Sequence, residues 1–147
     1  MRWGYALAMH IPGLQLDGGA EGLAGLPWRS TRYAGIEWLD LAAETLGKGA
    51  GDETSGATSG DLASQSETVL IRMAPGCGYP RHRHTGPEDV LVLAGGYRDE
   101  DGRTFEAGQF VRYPSGSEHS PVAIGGELES AEPCILFAVA PEGTEIV

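Results

Sequence analysis

Four side chains in the second half of the chain have the types and spacing to hold one metal ion: His82, His84, Glu88 and His119. Only four histidines occur, and three of them fall between positions 82 and 119. His82 and His84 stand two apart in a segment that reads as a strand. Both therefore point to one face, and Arg81 and Arg83 to the other. Two imidazoles side by side in an interior are costly as cations but reasonable as neutral ligands of one metal. Glu88 follows across a Gly86-Pro87 turn, which folds the next strand back and can bring the carboxylate level with the histidine pair. Asp89, by alternation, points away. His119 begins a later strand, after Pro114-Ser115-Gly116. Three imidazoles and a carboxylate suit zinc, iron, manganese, nickel or copper. They do not suit calcium, which takes oxygen ligands throughout. A His-x-His pair near an acid also arises by chance, so the residues around it matter.

The elements that must position these groups read as short strands. From Glu67 onward, apolar runs alternate with turn residues. Thr68 to Met73 is predicted as a strand ended by Pro75-Gly76. Tyr79 to Thr85 is a second, ended by Gly86-Pro87, and Glu88 to Ala94 a third, ended by Gly95-Gly96. Asp101-Gly102 is the strongest hairpin signal. Gln109 to Tyr113 runs to a turn at Pro114, His119 opens a short strand, and Pro133 to Ala140 is the last one. Strands at this regular short spacing imply an all-β sandwich or barrel. Pro27 to Leu41 reads as one extended strand around Gly35, and residues 1–26 as a short arm or a first strand. No amphipathic helix is predicted. Residues 48–66, rich in Gly, Ser, Thr and acids, read as a flexible surface loop inside a single domain over 27–147.

The 147 residues suffice for one domain with its own core. The 23 glycines and 9 prolines would suggest disorder by themselves, but 41% of residues are hydrophobic. Many tight turns between strands is the better reading. Ten basic and 21 acidic residues give a formal charge of -11. Such a surface repels phosphate backbones and anionic membranes, which argues against both as partners. No stretch approaches the ~20 apolar residues of a membrane span, and no signal-peptide cleavage site follows the first residues. Two cysteines are too few for a disulfide scaffold, so a cytoplasmic location with both reduced is expected. Cys134 is expected in the core and Cys77 as a small hydrophobe beside the ligand strand. His10 reads as structural or surface. Tyr79, Tyr97, Tyr113 and Phe110 either line a cavity or pack the core. The outward faces of Glu88–Gly95 and Pro133–Ala140 are apolar, with Leu91 and Leu93 on the first. A covered sheet is implied, and a homodimer on that face is predicted, the alternative being cover by the chain's own first 40 residues.

The glycines and prolines around the ligands carry a resemblance. Gly76, five residues, His82, one, His84, three, Glu88, six, Gly95 matches the first cupin motif. Gly108, five residues, Pro114, one, Gly116, two, His119 matches the second. The usual Asn four residues after that histidine is Ala123 here, which leaves the ligand set intact. The chain thus resembles the cupins, which implies a small double-stranded β-helix, a jelly-roll-like barrel, with one divalent metal, zinc or iron before manganese or nickel. The run from Arg81 to Pro121, with Pro27-Trp28 before it and Cys134-Ile135-Leu136-Phe137 after it, resembles the cupin domain of the ChrR-type zinc-binding anti-sigma factors, over roughly residues 27–140. Those proteins carry an N-terminal helical domain that grips a sigma factor. Residues 1–26 lack cysteine and are too short for it, so the chain is expected to resemble the stand-alone members of the group. The resemblance implies two functions. One is an Fe(II)-dependent dioxygenase cleaving a small diketone-like or hydroxyaryl ketone substrate. The other is a non-catalytic zinc-binding sensor or regulatory module.

Overall fold

The computed structural model of the chain describes residues 19–42, 67–125 and 131–147. His10, the first 18 residues of the 1–26 arm and the 48–66 loop lie outside the described residues. The elements are α1 (Gly19–Leu23), β1 (Arg29–Ser30), β2 (Ile36–Asp40), β3 (Glu67–Met73), β4 (His82–His84), β5 (Glu88–Ala94) and β6 (Gly96–Arg98). Then follow β7 (Thr104–Glu106), β8 (Phe110–Tyr113), β9 (Glu118–His119), β10 (Val122–Ala123), β11 (Cys134–Ala140) and β12 (Thr144–Ile146). They form one six-stranded sheet in the order β1-β2-β3-β11-β5-β8 and two three-stranded sheets, β10-β6-β7 and β12-β4-β9. Among the described residues every pairing is antiparallel. This is the all-β cupin architecture.

Alternation builds the core. In β5, Glu88, Val90, Val92 and Ala94 are buried while Asp89, Leu91 and Leu93 are half-buried. In β8, Val111 and Tyr113 turn in and Phe110 and Arg112 turn out. The main cluster joins Val69, Met73, Val90, Val92 and Leu136 of the large sheet to Tyr97 of β6 and Ala123 of β10. A second cluster lies on the other side of the large sheet, where Leu23 and Leu26 pack with Leu39, Leu70 and Ile135, and Trp28 and Leu93 lean on them. The Trp28 indole N–H donates to the Leu23 carbonyl at 2.9 Å and ties this cover down. Leu23, Leu26, Leu39, Leu70 and Ile135 are each no more than 7% exposed, so chain segment 19–28 is an integral part of the domain.

Several local expectations are corrected. Pro27 to Leu41 is a hairpin, β1 to β2, and Gly35 is in its turn at φ +72°. A side chain there would overlap the Cys77 sulfur, so glycine is required twice over. Gly19–Leu23 is a helix, too short to carry an amphipathic period. The second predicted strand is cut to His82–His84, since Pro80 cannot donate to a ladder. Pro133–Ala140 is not the last strand, because β12 returns to pair with β4. Among the described residues no helix is long and apolar enough to cross a membrane. Cys134 is fully buried, Cys77 is half-buried against the core, and both are free thiols.

Candidate metal centre

Strand register brings the four predicted residues together. In β4 the pattern is buried, exposed, buried for His82, Arg83 and His84. β4 pairs with β9 so that His82 faces His119 and Arg83 faces Glu118. On the outer face Arg83 donates to the Glu118 carboxylate at 2.7–2.9 Å. The charge pair and the imidazole pair are thus two sides of one register. Glu88 arrives differently from the expectation: β4 and β5 do not pair, and the Gly86-Pro87 turn carries the chain from a small sheet into the large one. Glu88 opens β5 opposite Tyr113. All four residues are no more than 7% exposed, and one ligand atom from each lies within 4.8 Å of the others. Asp89 turns outward, as alternation requires, and takes a hydrogen bond from Arg112 at 2.6 Å.

The hydrogen bonds assign the imidazole protons. His82 Nδ1 lies 2.8 Å from the Pro80 carbonyl, an acceptor, so Nδ1 carries the hydrogen. His119 Nδ1 lies 2.8 Å from Asp99 Oδ1. His84 Nδ1 lies 2.9 Å from Ser117 Oγ, whose own proton goes to the Pro114 carbonyl at 2.6 Å, so this ring also donates from Nδ1. In its neutral form each ring then has a lone pair on Nε2. His119 Nε2 and His82 Nε2 stand 2.9 Å apart, a separation that is no hydrogen bond when neither nitrogen holds a proton. His84 Nε2 lies 2.8 Å from Glu88 Oε2, but off hydrogen-bond geometry, and is a buried nitrogen without a hydrogen-bond partner. Lone pairs and a carboxylate turned on one point fit a divalent cation, whose His ligands donate their other N–H to a carboxylate, a carbonyl or a similar acceptor. Burial, then the neighbouring His119, pushes His82 down to about 4, so it is neutral at pH 7.

A cavity of about 30 Å³ adjoins the cluster. His82, Glu88 and His119 line it, with Glu67, Tyr79, Tyr97 and Thr144 as the other polar groups and Ile71, Met73, Val90 and Leu136 among the apolar ones. Tyr79 and Tyr97 therefore line the cavity. Tyr113 instead stacks on His84, with ring centroids 5.0 Å apart, and Phe110 is 63% exposed. Burial holds the Tyr79, Tyr97 and Tyr113 phenols far above their ordinary range, so all stay protonated. Sequence reasoning did not single out Glu67, Asp99 or Ser117. Glu67 is the first residue of its strand, Asp99 sits in an acidic turn-like run, and Ser117 sits in a turn, so none carried a distinct signal.

A family model described as the ChrR cupin-like domain matches residues 60–138. No curated protein sequence matches the chain. Among solved structures, a chain from Rhodobacter sphaeroides SigE in complex with the anti-sigma ChrR is 26% identical at a TM-score of 0.56. That match covers 80% of this chain and 50% of that one, so this chain spans half the relative's length. An RmlC-like cupin protein from Ralstonia eutropha JMP134 is 18% identical at a TM-score of 0.54, covering 90% of this chain and 70% of that one. The polyketide cyclase RemF from Streptomyces resistomycificus is 17% identical at 0.52, covering 84% and 81%. The last two likenesses concern the fold alone.

Proposed function

We propose that this chain, which belongs to the ChrR cupin-like domain family, binds one divalent metal ion through His82, His84, Glu88 and His119 and offers it to a small molecule in the adjoining cavity. The observation that carries this reading is the convergence of three Nε2 lone pairs and a carboxylate beside a cavity that three of the four residues line. A bound ion supplies Lewis acidity toward an oxygen ligand or, with iron, a place for dioxygen. The protein's part is to orient and to exclude water. Ile71, Met73, Val90, Leu136 and Ala138 make the walls apolar. Among the described residues no lysine or arginine lines the cavity, which disfavours carboxylate or phosphate ligands and suits a neutral ketone. The volume is enough to hold a water-sized group, so a larger ligand requires a wall residue to move. Met73, the most adaptable wall residue, is the side chain best suited to yield to the rest of a substrate.

The finer form of the reading is an Fe(II)-dependent dioxygenase acting on a small diketone-like or hydroxyaryl ketone. A second reading is a non-catalytic zinc-binding module. It is supported by a ligand set large enough to close a tetrahedral zinc site and by the likeness to the SigE–ChrR complex. Metal analysis of natively purified protein, then anaerobic Fe(II) loading and oxygen uptake with a 1,3-diketone, separates them. The enzyme reading expects uptake that zinc abolishes. Full zinc occupancy with no turnover by the iron form overturns it in favour of the second.

A further inference from the structure

We infer that Asp99 is a positioning residue for His119, and that Tyr113 and Tyr97 hold Asp99 in that role; the inference rests on the metal-binding reading above. Asp99 is 5% exposed, and both of its carboxylate oxygens are taken. Oδ1 accepts from His119 Nδ1 at 2.8 Å, and Oδ2 accepts from the Tyr113 hydroxyl at 2.7 Å. Because Tyr113 gives its proton to Asp99, its oxygen must accept from Tyr97, 2.7 Å away. The chain therefore has one direction: Tyr97 donates to Tyr113, Tyr113 to Asp99, and His119 to Asp99 from the other side. Tyr97 and His119 both line the cavity, so the chain leaves the cavity wall at one residue and returns to it at the other.

A plain turn role does not account for this side chain. The turn from Asp99 to Arg103 is closed by backbone groups: the Asp99 N–H donates to the Arg103 carbonyl at 2.9 Å, and the Gly102 N–H to the Asp99 carbonyl at 2.9 Å. The carboxylate points away from the turn, into the interior, at a ligand imidazole. With only acceptor sites, it fixes the proton of His119 on Nδ1 and the lone pair on Nε2. Tyr113 fixes the carboxylate in turn, while its ring lies 4.2 Å from that of His119 and stacks on His84. A fully satisfied buried network of this kind restricts its members to one arrangement.

The test uses Asp99→Asn, Tyr113→Phe and Tyr97→Phe in the full chain, with cobalt(II) as the probe metal. Asp99→Asn is expected to weaken cobalt affinity by about 10–100-fold and to alter the cobalt d–d spectrum. Tyr113→Phe, which keeps the ring stacking, is expected to lose less, and Tyr97→Phe least. Unchanged affinity and spectrum in Asp99→Asn would overturn the inference. Nitrogen NMR of the metal-free protein is the second readout. His119 is expected as the Nδ1–H tautomer in the wild type and as a mixture in Asp99→Asn. Retention of the single tautomer in that variant overturns the positioning role. Should Asp99→Asn not fold, Tyr113→Phe carries both readouts, and no change in either overturns the proposal. A wild type that binds no cobalt but shows the tautomer shift refutes the metal reading and leaves the positioning of His119 standing.

Discussion

A carboxyl group at the head of β3, that of Glu67, shares the cavity with His82, Glu88 and His119. Burial, then the charges of Glu88 and Asp40, push Glu67 up to about 8. An unfolded chain releases this proton near 4.5, the ordinary value. Between those two pH values the folded form holds a proton that the unfolded form has lost, so stability falls as pH rises from about 4.5 to about 8. The cost reaches at most about 3 kcal/mol at pH 7 in metal-free protein. Glu67→Gln is expected to remove that slope, read by urea unfolding at pH 5, 7 and 9. Parallel slopes for variant and wild type would refute the assignment. Metal loading is expected to flatten the wild-type slope, because a cation beside Glu88 offsets the charge that Glu67 faces.

Between β5 and β6 the chain passes through Gly95, and the requirement for glycine there has two parts. Its φ of +62° is left-handed, which costs a side-chain-bearing residue about 1–2 kcal/mol. A Cβ would also stand 2.5 Å from the Pro133 carbonyl oxygen, a backbone atom that cannot swing aside. Gly102, in the turn before β7, has φ +86° but open space around the Cβ position. Gly102→Ala is therefore expected to cost about 1–2 kcal/mol, and Gly95→Ala clearly more, about 3 kcal/mol or beyond. Equal losses in chemical denaturation would show that the approach of Pro133 relaxes freely. The motif glycine at 95 thus serves the strand that carries Glu88, since its close contact with the strand next to it sets how β5 ends against β11.

On the scale of the molecule, the apolar outer face of the large sheet is divided. Residues 19–28 cover Leu39, Leu70 and Ile135, and Leu93 packs with them. Leu91 is half-buried, its cross-strand partner Phe110 is 63% exposed, and Phe137, opposite Leu91 on β11, is half-buried. The predicted homodimer therefore narrows to Leu91 and Phe110, with Leu93 and Phe137 engaged by their own chain. Burying two such side chains contributes roughly 3–6 kcal/mol to association. Light scattering at micromolar concentration is expected to give twice the 15.5 kDa chain mass, falling to one chain in a Leu91→Glu, Phe110→Glu variant. A monomeric wild type would refute the dimer, and a variant that stays dimeric would refute this face.

The shared face of His82 and His84 was legible in the sequence because a strand has period two, so His-x-His determines it without any tertiary information. The spaced glycines and prolines determined the all-β class in the same way, since turn geometry is a local property. The outward turn of Asp89 follows from strand alternation as well. Pairing is not local, and here only the tertiary structure decided. Nothing in the residues near His119 says that it faces His82, or that Glu88 reaches the cluster from a different sheet. Asp99, Tyr113 and Ser117, which set the proton positions of His119 and His84, come from turns and strands up to 33 residues from the histidine they serve. Their roles rest on hydrogen bonds that exist only once the sheets close on one another. The hairpin at Gly35 and the return strand β12 were missed for the same reason, because a two- or three-residue strand has too few residues to show a period and is held by its partner.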